Sequence, residues 1–369
     1  MQILIPLIFI FLLARLSVAA YNYYSNPRLT ASRRSSDELV SILIPARNEA
    51  QNLHRILNSV LGLKGVKYEV IVLDDHSEDE TFSIASSYGS KHEAIQVIRG
   101  KPLKKGWTGK NYACWQLAEV AKGDYLLFVD ADVNLHPLLL SSALHRLKEQ
   151  ELSLLSLFSN QQMLSLAEQS TVPLMHYLLL TLLPLKLILG HRFAVFSAAC
   201  GQFMLFSAKE YHLYRWHDTL RGKVAEDLGI MKALKEAGLR GEGLMANGLV
   251  SCRMYRSFNE AIMGFSKNFM APFDNRLSLF LPFIVTLSLG PLFIIATGDL
   301  YQLVSLILII FSTRIYTSKL AGEDWRTNSL LHPLQMLNLL IISGAAVQQH
   351  LFKNSVWKGR VVVQVPAGS

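Results

Sequence analysis

Cysteine is scarce in this chain. Its three cysteines, Cys114, Cys200 and Cys252, are an odd number, lie far apart and form no Cys-x-x-Cys pair. A disulfide framework needs paired cysteines, and a zinc cluster needs closely spaced ligands. The sequence therefore predicts neither, and it favours a reducing, cytosolic setting for the polar part of the chain.

Charged residues are also few. They make up 17% of the 369 residues, whereas hydrophobic residues make up 51%; an ordinary globular protein has roughly 25% charged residues. This balance excludes a disordered, collagen-like or coiled-coil chain and indicates that part of the chain is buried in lipid. The net charge of +8 suits anionic lipid or a phosphate-bearing ligand. No dense Lys/Arg run is interleaved with aromatic residues, so nucleic acid is not predicted as a partner.

Two common nucleotide motifs are missing. The chain has no G-x-x-x-x-G-K-[ST] loop, and no predicted strand is followed by G-x-G-x-x-G. Nucleoside triphosphate hydrolysis and nicotinamide chemistry are therefore not expected. The sequence also has no internal repeat.

An apolar run opens the chain, at residues 3–20. It lacks the basic start and the cleavage site of a secretory signal, which predicts an uncleaved membrane anchor over residues 1–21. Arg28, Arg33 and Arg34 follow it. By the positive-inside rule these arginines predict that the next part of the chain, up to residue 276, lies in the cytoplasm.

A second apolar region covers residues 277–352, where only six side chains are charged. Its runs at 277–297, 300–316 and 330–352 predict two or three C-terminal membrane spans, followed by a tail at 353–369. An apolar block at 172–189 is broken by Pro173 and Pro184. We expect it to lie on the membrane surface, with three of its leucines facing lipid or acceptor: Leu178, Leu182 and Leu185.

Between these regions, residues 38–275 predict one cytosolic domain. Continuous apolar runs at 39–44, 68–73, 95–98 and 125–129 predict strands, and helical patterns at 48–61, 80–87 and 111–121 separate them. This alternation predicts an α/β fold with a mostly parallel, doubly wound sheet. Ligands of such sheets bind beyond the carboxyl ends of the strands. Residues 45–49, 74–77 and 130–132 should therefore share one rim.

Acidic residues follow two of these predicted strands. Asp130 and Asp132 are carboxylates that suit Mg²⁺ or Mn²⁺ together with substrate phosphates, although Asp is also common in turns. Asp75 can accept hydrogen bonds from a nucleobase or ribose, or it can belong to an Asx turn. The first strand ends at Pro45; beyond it Arg47 suits a phosphate and Glu49 a ribose hydroxyl, unless both are part of a solvated helix start.

Three further features carry charge at predicted helix ends. Lys110 lies in a basic, glycine-containing loop before a helix, which favours anions; the alternative is a solvated loop. Asp227 is either a helix cap or a general base. Arg253 and Arg256 can clamp a diphosphate or bind lipid headgroups.

Taken together, these residues resemble glycosyltransferase family 2, the inverting GT-A type. The resemblance rests on "SILIPARNEAQNL", "VIVLDDHSEDET", "GWTGKNYACWQLAEVAKGDYLLFVDADV" and "VAEDLGIMKALKEAG", in the family's order across residues 38–270. The segment at 253–258 and the tail motif at 357–360 resemble membrane-bound bacterial members that glycosylate carotenoids or are associated with hopanoids. The resemblance implies a nucleotide-diphospho-sugar donor, Mg²⁺ or Mn²⁺ as cofactor, and a location in the inner membrane of a bacterium, multi-pass, with the catalytic domain facing the cytoplasm.

Residue roles also follow from the resemblance. It implies that Asp227 is the general base, that Asp130 and Asp132 bind the metal, and that Lys110 meets phosphate. It also implies a nucleotide-sugar site formed by Pro45, Arg47, Glu49, Asp75, Lys110, Asp130, Arg253 and Arg256.

One departure from the family bears on function. Processive members carry Gln-x-x-Arg-Trp after the catalytic aspartate, whereas this chain has Arg-Met-Tyr-Arg at 253–256. We therefore expect transfer of a single sugar, with UDP-glucose as the expected donor, to the hydroxyl or carboxyl of a membrane lipid such as a carotenoid or other isoprenoid. Two alternatives stay open: a polyprenyl-phosphate sugar transferase of the same fold, and a non-catalytic membrane scaffold.

Overall fold

The computed structural model describes residues 3–352 and the backbone of residues 355–357 and 360–362. The remainder of the predicted tail at 353–369 lies outside the described residues. The chain divides into two compact units. We call Arg28–Asn160, Ile188–Cys252 and Ser355–Ser369 the sheet unit, and Met1–Pro27, Gln161–Leu187 and Arg253–Asn354 the helical unit. The predicted domain at 38–275 includes residues 161–187 and 253–275, which belong to the helical unit; that these residues form one domain with the sheet unit stays a prediction.

The strands begin and end as follows: β1 Ser36–Ala46, β2 Val66–Asp74, β3 Ile95–Arg99, β4 Tyr125–Val129, β5 Val133–Leu135, β6 Leu154–Phe158, β7 Asn160–Gln161, β8 Phe203–Ser207, β9 Gly241–Met245, β10 Val250–Cys252, β11 Ser355–Trp357 and β12 Arg360–Val362. The helices are α1 Leu4–Ser25, α2 Ala50–Leu61, α3 Thr81–Gly89, α4 Gly109–Val120, α5 Leu139–Glu149, α6 Leu166–Thr171, α7 Pro173–Leu182, α8 Lys186–Gly190, α9 Ala208–Tyr214, α10 Trp216–Thr219, α11 Glu226–Glu236, α12 Phe258–Ser266, α13 Leu277–Ser288, α14 Gly290–Ile295, α15 Leu300–Ala321, α16 Trp325–Leu330 and α17 His332–Phe352.

The sheet unit is built on a seven-stranded sheet in the order β3-β2-β1-β4-β8-β6-β9. β1 runs parallel to β2 and β4, β2 to β3, and β6 to β9, whereas β8 is antiparallel to β4 and β6. Ile42, Leu43 and Ile44 on β1 are fully buried, as expected for a strand covered on both faces. The predicted α/β fold is confirmed, and the carboxyl ends of β1, β2 and β4 lie at one edge.

Among the residues that the structure describes, two helices, α1 and α15, are long and apolar enough to cross a membrane by length and composition; both lie in the helical unit, and each has 22 residues. The predicted apolar run at 277–297 is not one helix: α13 ends at Ser288, and α14 begins at Gly290 with a proline at its start. A proline there lacks the N–H that would continue the preceding helix.

The apolar block at 172–189 begins with α7. Leu182 is 39% exposed, whereas Leu185 is 1% exposed and Leu178 packs against a buried cluster that includes Leu174 and Phe280. The expectation that all three leucines face lipid or acceptor is therefore wrong for Leu185. Its backbone N–H donates to the side chain of Asn22, which fixes it inside the unit.

Candidate active site

The loops that follow β1 and β2 are joined by Arg47. Its guanidinium donates to the backbone carbonyls of Asp75 (2.7 Å) and His76 (2.8 Å). Arg47 is 8% exposed, and its Nη2 is also 3.6 Å from Glu78 Oε1. The predicted contact of Arg47 with phosphate stays a prediction, while its observed contacts fix the two loops at the rim.

Pro45, Glu49 and Asp75 lie at the same rim. Pro45 is opposite Leu73 of β2, and the pairing of β1 with β4 already ends at Leu43. The N–H that proline lacks therefore interrupts no hydrogen bond to β4. The Glu49 carboxylate accepts from the side chain of Asn52 at 2.7 Å. Asp75 is buried, and its backbone N–H donates to Ala46. The structure thus brings together the predicted residues of the first two loops.

Lys110 lies in the first turn of α4, which is capped by the hydroxyl of Thr108. Its ammonium is 2.9 Å from Asp130 Oδ1 and 3.2 Å from Glu226 Oε1. Burial lowers the pKa of Lys110, but the charges of Asp130 and Glu226 outweigh this effect and hold the pKa well above its ordinary value. Lys110 is therefore a fixed cation between two carboxylates, 24% exposed.

Asp130 and Asp132 follow β4 directly. The backbone carbonyl of Asp132 accepts a hydrogen bond from Arg55, and its Oδ1 is buried without a hydrogen-bond partner. Burial, together with the negative charges of Asp130 and Glu49, raises the pKa of Asp132 to about 7. Burial and the neighbouring negative charges therefore disfavour ionisation of Asp132, and one of its oxygens has no hydrogen-bond partner.

These two carboxylates fit a divalent cation. Among the residues that the structure describes, no group of three or more His, Cys, Asp or Glu side chains is placed to hold a metal ion. The described part of the chain therefore has no four-ligand structural metal site of the kind that binds zinc. Mg²⁺ is commonly held by one or two carboxylates plus substrate phosphates, and the unpartnered Oδ1 of Asp132 matches that need.

Asp227 begins α11 with Glu226. One oxygen of Asp227 accepts from the Gly201 N–H (3.0 Å) and the other from the Leu228 N–H (2.7 Å). Burial raises the pKa of Asp227 above its ordinary value, and burial likewise raises the pKa of Glu226 to about 7. A carboxylate that is fixed by two N–H groups and has a raised pKa suits a general base.

Gly201 is a residue that sequence reasoning missed. A Cβ added there would lie 2.9 Å from Lys110 Nζ, 3.4 Å from Glu226 Oε1 and 3.6 Å from Asp227 Oδ2. Glycine therefore lets the backbone approach these three groups closely. No motif marks this position, because the contacts join residues far apart in sequence.

Replacing Gly201 with alanine should lower kcat by roughly ten- to hundredfold, because displacement of a reacting group by about 1 Å can cost 10²-fold. The new methyl group would displace the flexible end of Lys110, so the melting temperature should change little. Gly190→Ala is the matched control, since nothing lies within 4 Å of a Cβ at Gly190. Equal activity of the two variants would contradict a role for close packing at Gly201.

Arg253 and Arg256 belong to the helical unit. There the Arg253 guanidinium is 2.7 Å from Glu168 Oε1, and the backbone N–H of Arg256 donates to Glu260. Glu168 itself closes the capping box of α6. These contacts give Arg253 a place in the packing of its unit; the predicted nucleotide contacts of both arginines stay predictions.

Comparison with known proteins finds a family match over part of the chain. Residues 41–209 match the family model described as Glycosyl transferase family 2. The matched range contains the carboxylates after β4 and the loops after β1 and β2, and it ends before Asp227. Together with the relatives below, this match confirms the predicted resemblance to glycosyltransferase family 2.

Two curated relatives make the resemblance more specific. The chain is 28% identical over 240 residues to 4,4'-diaponeurosporenoate glycosyltransferase of Staphylococcus haemolyticus, covering 62% of this chain and 60% of the relative. It is 36% identical over 104 residues to the enzyme of the same name from Staphylococcus aureus N315, covering 28% and 26%. The chain thus matches less than two thirds of the length of either relative.

One solved structure is similar over nearly the whole chain. It is a mannosyltransferase from Pyrobaculum calidifontis, in complex with GDP-Man and Mn²⁺, with a TM-score of 0.59 and 14% identity. The likeness covers 95% of this chain and 99% of that one. It confirms the predicted GT-A type fold.

Proposed function

We propose that the chain is an inverting glycosyltransferase that moves one sugar from a nucleotide-diphospho-sugar to a membrane lipid. The observation that carries this proposal is a cluster in the sheet unit in which Lys110 contacts Asp130 and Glu226, and Asp227 follows Glu226 at the start of α11. Gly201 lies against both Lys110 and Asp227. A base, a cation and a pair of metal-binding carboxylates are the groups that sugar transfer from a diphosphate requires.

Asp130 and Asp132 would hold a divalent cation, Mg²⁺ or Mn²⁺, which when bound would neutralise charge on the leaving diphosphate. The solved mannosyltransferase was obtained with Mn²⁺, and this supports the same class of ion here. Lys110 would add a second positive charge on the phosphate side. Its place at the start of a helix favours anions as well.

Asp227 would take the proton of the acceptor hydroxyl. The oxygen then forms a bond to the anomeric carbon while the bond from that carbon to the diphosphate oxygen breaks, and the nucleoside diphosphate leaves with the bonding electrons. A single displacement of this kind inverts the anomeric configuration. Because the Gly201 and Leu228 N–H groups hold the two oxygens of Asp227, the base is oriented before the acceptor arrives.

The acceptor proposed is an isoprenoid lipid such as a carotenoid, with UDP-glucose as donor. Two relatives are named for glycosylation of 4,4'-diaponeurosporenoate, a carotenoid acid, and this supports the acceptor class. Two helices long and apolar enough to cross a membrane support a membrane location. The arginines after α1 support a cytoplasmic orientation of the sheet unit by the positive-inside rule, in the inner membrane of a bacterium.

The test incubates membranes that contain the chain with radiolabelled UDP-glucose and an isoprenoid-rich lipid extract. We expect a labelled lipid that disappears with EDTA and is absent from Asp132→Asn membranes. UDP-N-acetylglucosamine and GDP-mannose, used in parallel, identify the donor. Absence of label with every donor would contradict the proposed activity and favour a non-catalytic scaffold.

The labelled bond identifies the acceptor group. A sugar on a carboxyl group is an ester and should be released by mild alkali, whereas a sugar on a hydroxyl group should resist it. A sugar on a polyprenyl phosphate should be released by mild acid. Release by mild acid alone would overturn the hydroxyl or carboxyl acceptor in favour of the polyprenyl-phosphate alternative.

A further inference from the structure

Two buried arginines lie in the helical unit, outside the site described above. Arg15 is in the middle of α1 and Arg314 is in the second half of α15. They are 4% and 1% exposed. Ionisable side chains on membrane-type helices are rare, because lipid and protein interior solvate charge poorly, and they commonly mark functional sites.

Both guanidinium groups contact the same aromatic ring, that of Tyr177 on α7. The central carbon of Arg314 is 3.8 Å from the ring centroid and that of Arg15 is 5.2 Å from it. Each contact is a favourable cation–π interaction. Two cations on one ring nevertheless repel each other, so the ring brings like charges together without neutralising them.

The hydrogen-bond partners of these arginines are neutral groups. Arg15 donates to the hydroxyl of Thr181, and its Nε and Nη1 are buried without a partner. Arg314 donates to Nδ1 of His332 through Nε (2.9 Å) and Nη2 (2.8 Å). Because Nδ1 accepts these bonds, His332 is unprotonated there.

Glu323, a carboxylate of the same unit, is already engaged by other side chains. Glu323 accepts from His176 (2.7 Å) and from Asn328 (2.8 Å), and among the described residues neither arginine has a carboxylate within 4.0 Å. The cluster of Arg15, Arg314 and Glu323 therefore carries a net positive charge that the described part of the unit leaves uncompensated. A buried charge without a partner is strongly unfavourable.

We propose that Arg15 and Arg314 bind the oxyanion of a membrane amphiphile, a phosphate or carboxylate. Such a group would accept from the unpartnered Nε and Nη1 of Arg15 and would neutralise the repulsion across Tyr177. Planar guanidinium groups are well suited to both oxyanions. The ligand is an amphiphile because the two arginines lie on α1 and α15, each of which is long and apolar enough to cross a membrane. This site is additional to the proposed donor and metal site and does not depend on sugar transfer.

The test measures thermal unfolding of the full chain in a neutral detergent, with decyl phosphate, decanoate, decanol or inorganic phosphate added. We expect an anionic amphiphile at about a hundredfold excess over its Kd to raise the melting temperature by about 5 °C, and decanol to have no such effect. A larger shift with decyl phosphate than with decanoate identifies a phosphate head, and the reverse identifies a carboxylate. A shift with inorganic phosphate alone would overturn the amphiphile as ligand.

Arg15→Gln and Arg314→Gln should each abolish the shift. Without ligand, these variants should be at least as stable as the unchanged chain, because an uncompensated buried charge has been removed. Arg326→Gln is the matched control, since Arg326 is exposed and stacks on Trp325 at 5.5 Å; it should keep the full shift. An equal shift in all three variants would overturn the proposal.

Calorimetric titration of the unchanged chain with decyl phosphate and decanoate provides a measurement that needs no variant. Saturable binding of one molecule per chain of either anion supports the site. Absence of saturable binding with both overturns it, and the two arginines then serve packing around Tyr177 only. Because neither readout involves a sugar donor, failure here leaves the proposed transferase activity unaffected.

Discussion

Asp227→Asn should lower kcat for a hydroxyl acceptor by roughly 10²–10⁴, the range typical of a lost general base, while the Kd for UDP changes little. Asp227 lies at the start of α11, and backbone N–H groups of Gly201 and Leu228 donate to its two oxygens. The asparagine amide retains one accepting oxygen but cannot take the acceptor's proton. Single-turnover rates and equilibrium binding of UDP measure the two quantities separately.

The amide also has a structural cost. Its NH₂ group must face one of the two N–H donors, and a buried donor left unpaired costs about 1–3 kcal/mol. The melting temperature is therefore measured alongside, with Asp218→Asn as control, because Asp218 lies on α10 and pairs with the exposed Arg215. If the affinity for UDP falls as steeply as the turnover, the assignment of Asp227 as the base is wrong.

The pH profile adds an independent readout. A general base must be deprotonated to act, so kcat/KM should fall as the pH drops through the pKa of Asp227. Because burial raises that pKa, this acid limb should lie above the ordinary aspartate value of about 3.9. Titration of Glu226, whose pKa burial raises to about 7, also affects kcat/KM in this pH range. The pKa of Asp132 is likewise raised to about 7. The part of the limb that persists in Glu226→Gln and is lost in Asp227→Asn therefore belongs to Asp227.

The nature of the acceptor changes the expected size of the effect. A carboxylic acid has a pKa of roughly 4, so a carboxyl acceptor is ionised at neutral pH and needs no base. With such an acceptor, Asp227→Asn should have a much smaller effect than with a hydroxyl acceptor. The ratio of the two effects therefore reports which group receives the sugar.

The first half of the sheet unit could be predicted closely from the sequence. The strand at 125–129 has the predicted bounds, and β1, β2 and β3 extend the predicted strands by three residues or fewer at either end. Strands buried on both faces are continuous apolar runs, which are easy to recognise. The rim at the ends of β1, β2 and β4 could also be predicted, because ligands of doubly wound sheets bind beyond the carboxyl ends of the strands.

Other parts of the sheet unit could not be predicted in the same way. The antiparallel pairing of β8 and the insertion of β6 and β9 into the sheet have no motif that marks them, and each of these strands has only five residues. The contacts of Lys110 with Glu226 and of Gly201 with Asp227 join residues 26 or more positions apart. No local pattern encodes such contacts, because they arise only when the whole sheet is assembled.

The helical unit shows a different limit. Hydropathy predicted its apolar segments, but composition did not indicate that the run at 277–297 divides between α13 and α14. It also did not indicate that Arg253 pairs with Glu168. Arg253 has several possible partners in the sequence, and which of them it contacts depends on packing that the sequence does not display.

Replacing Asp130 and Asp132 together with asparagine should reduce transfer by at least about 10³-fold, since a bound divalent cation contributes several kcal/mol to stabilising charge in the transition state. The asparagines keep the volume of the side chains but remove both negative charges. Removal of the charge on Asp132, whose pKa burial raises to about 7, should not destabilise the fold. Radiolabel transfer and the melting temperature, each measured with and without Mn²⁺, check both expectations.

The decisive comparison is how Mn²⁺ changes the affinity for UDP. In the unchanged chain Mn²⁺ should tighten UDP binding, because the two carboxylates and the diphosphate share the ion. In the double variant Mn²⁺ should have no effect on UDP binding, while Asp37→Asn, a control at a carboxylate that is 99% exposed, should behave as the unchanged chain does. Full transfer in EDTA would contradict the metal site. Transfer would then depend on Lys110, which already lies 2.9 Å from Asp130, as the cation that meets the diphosphate.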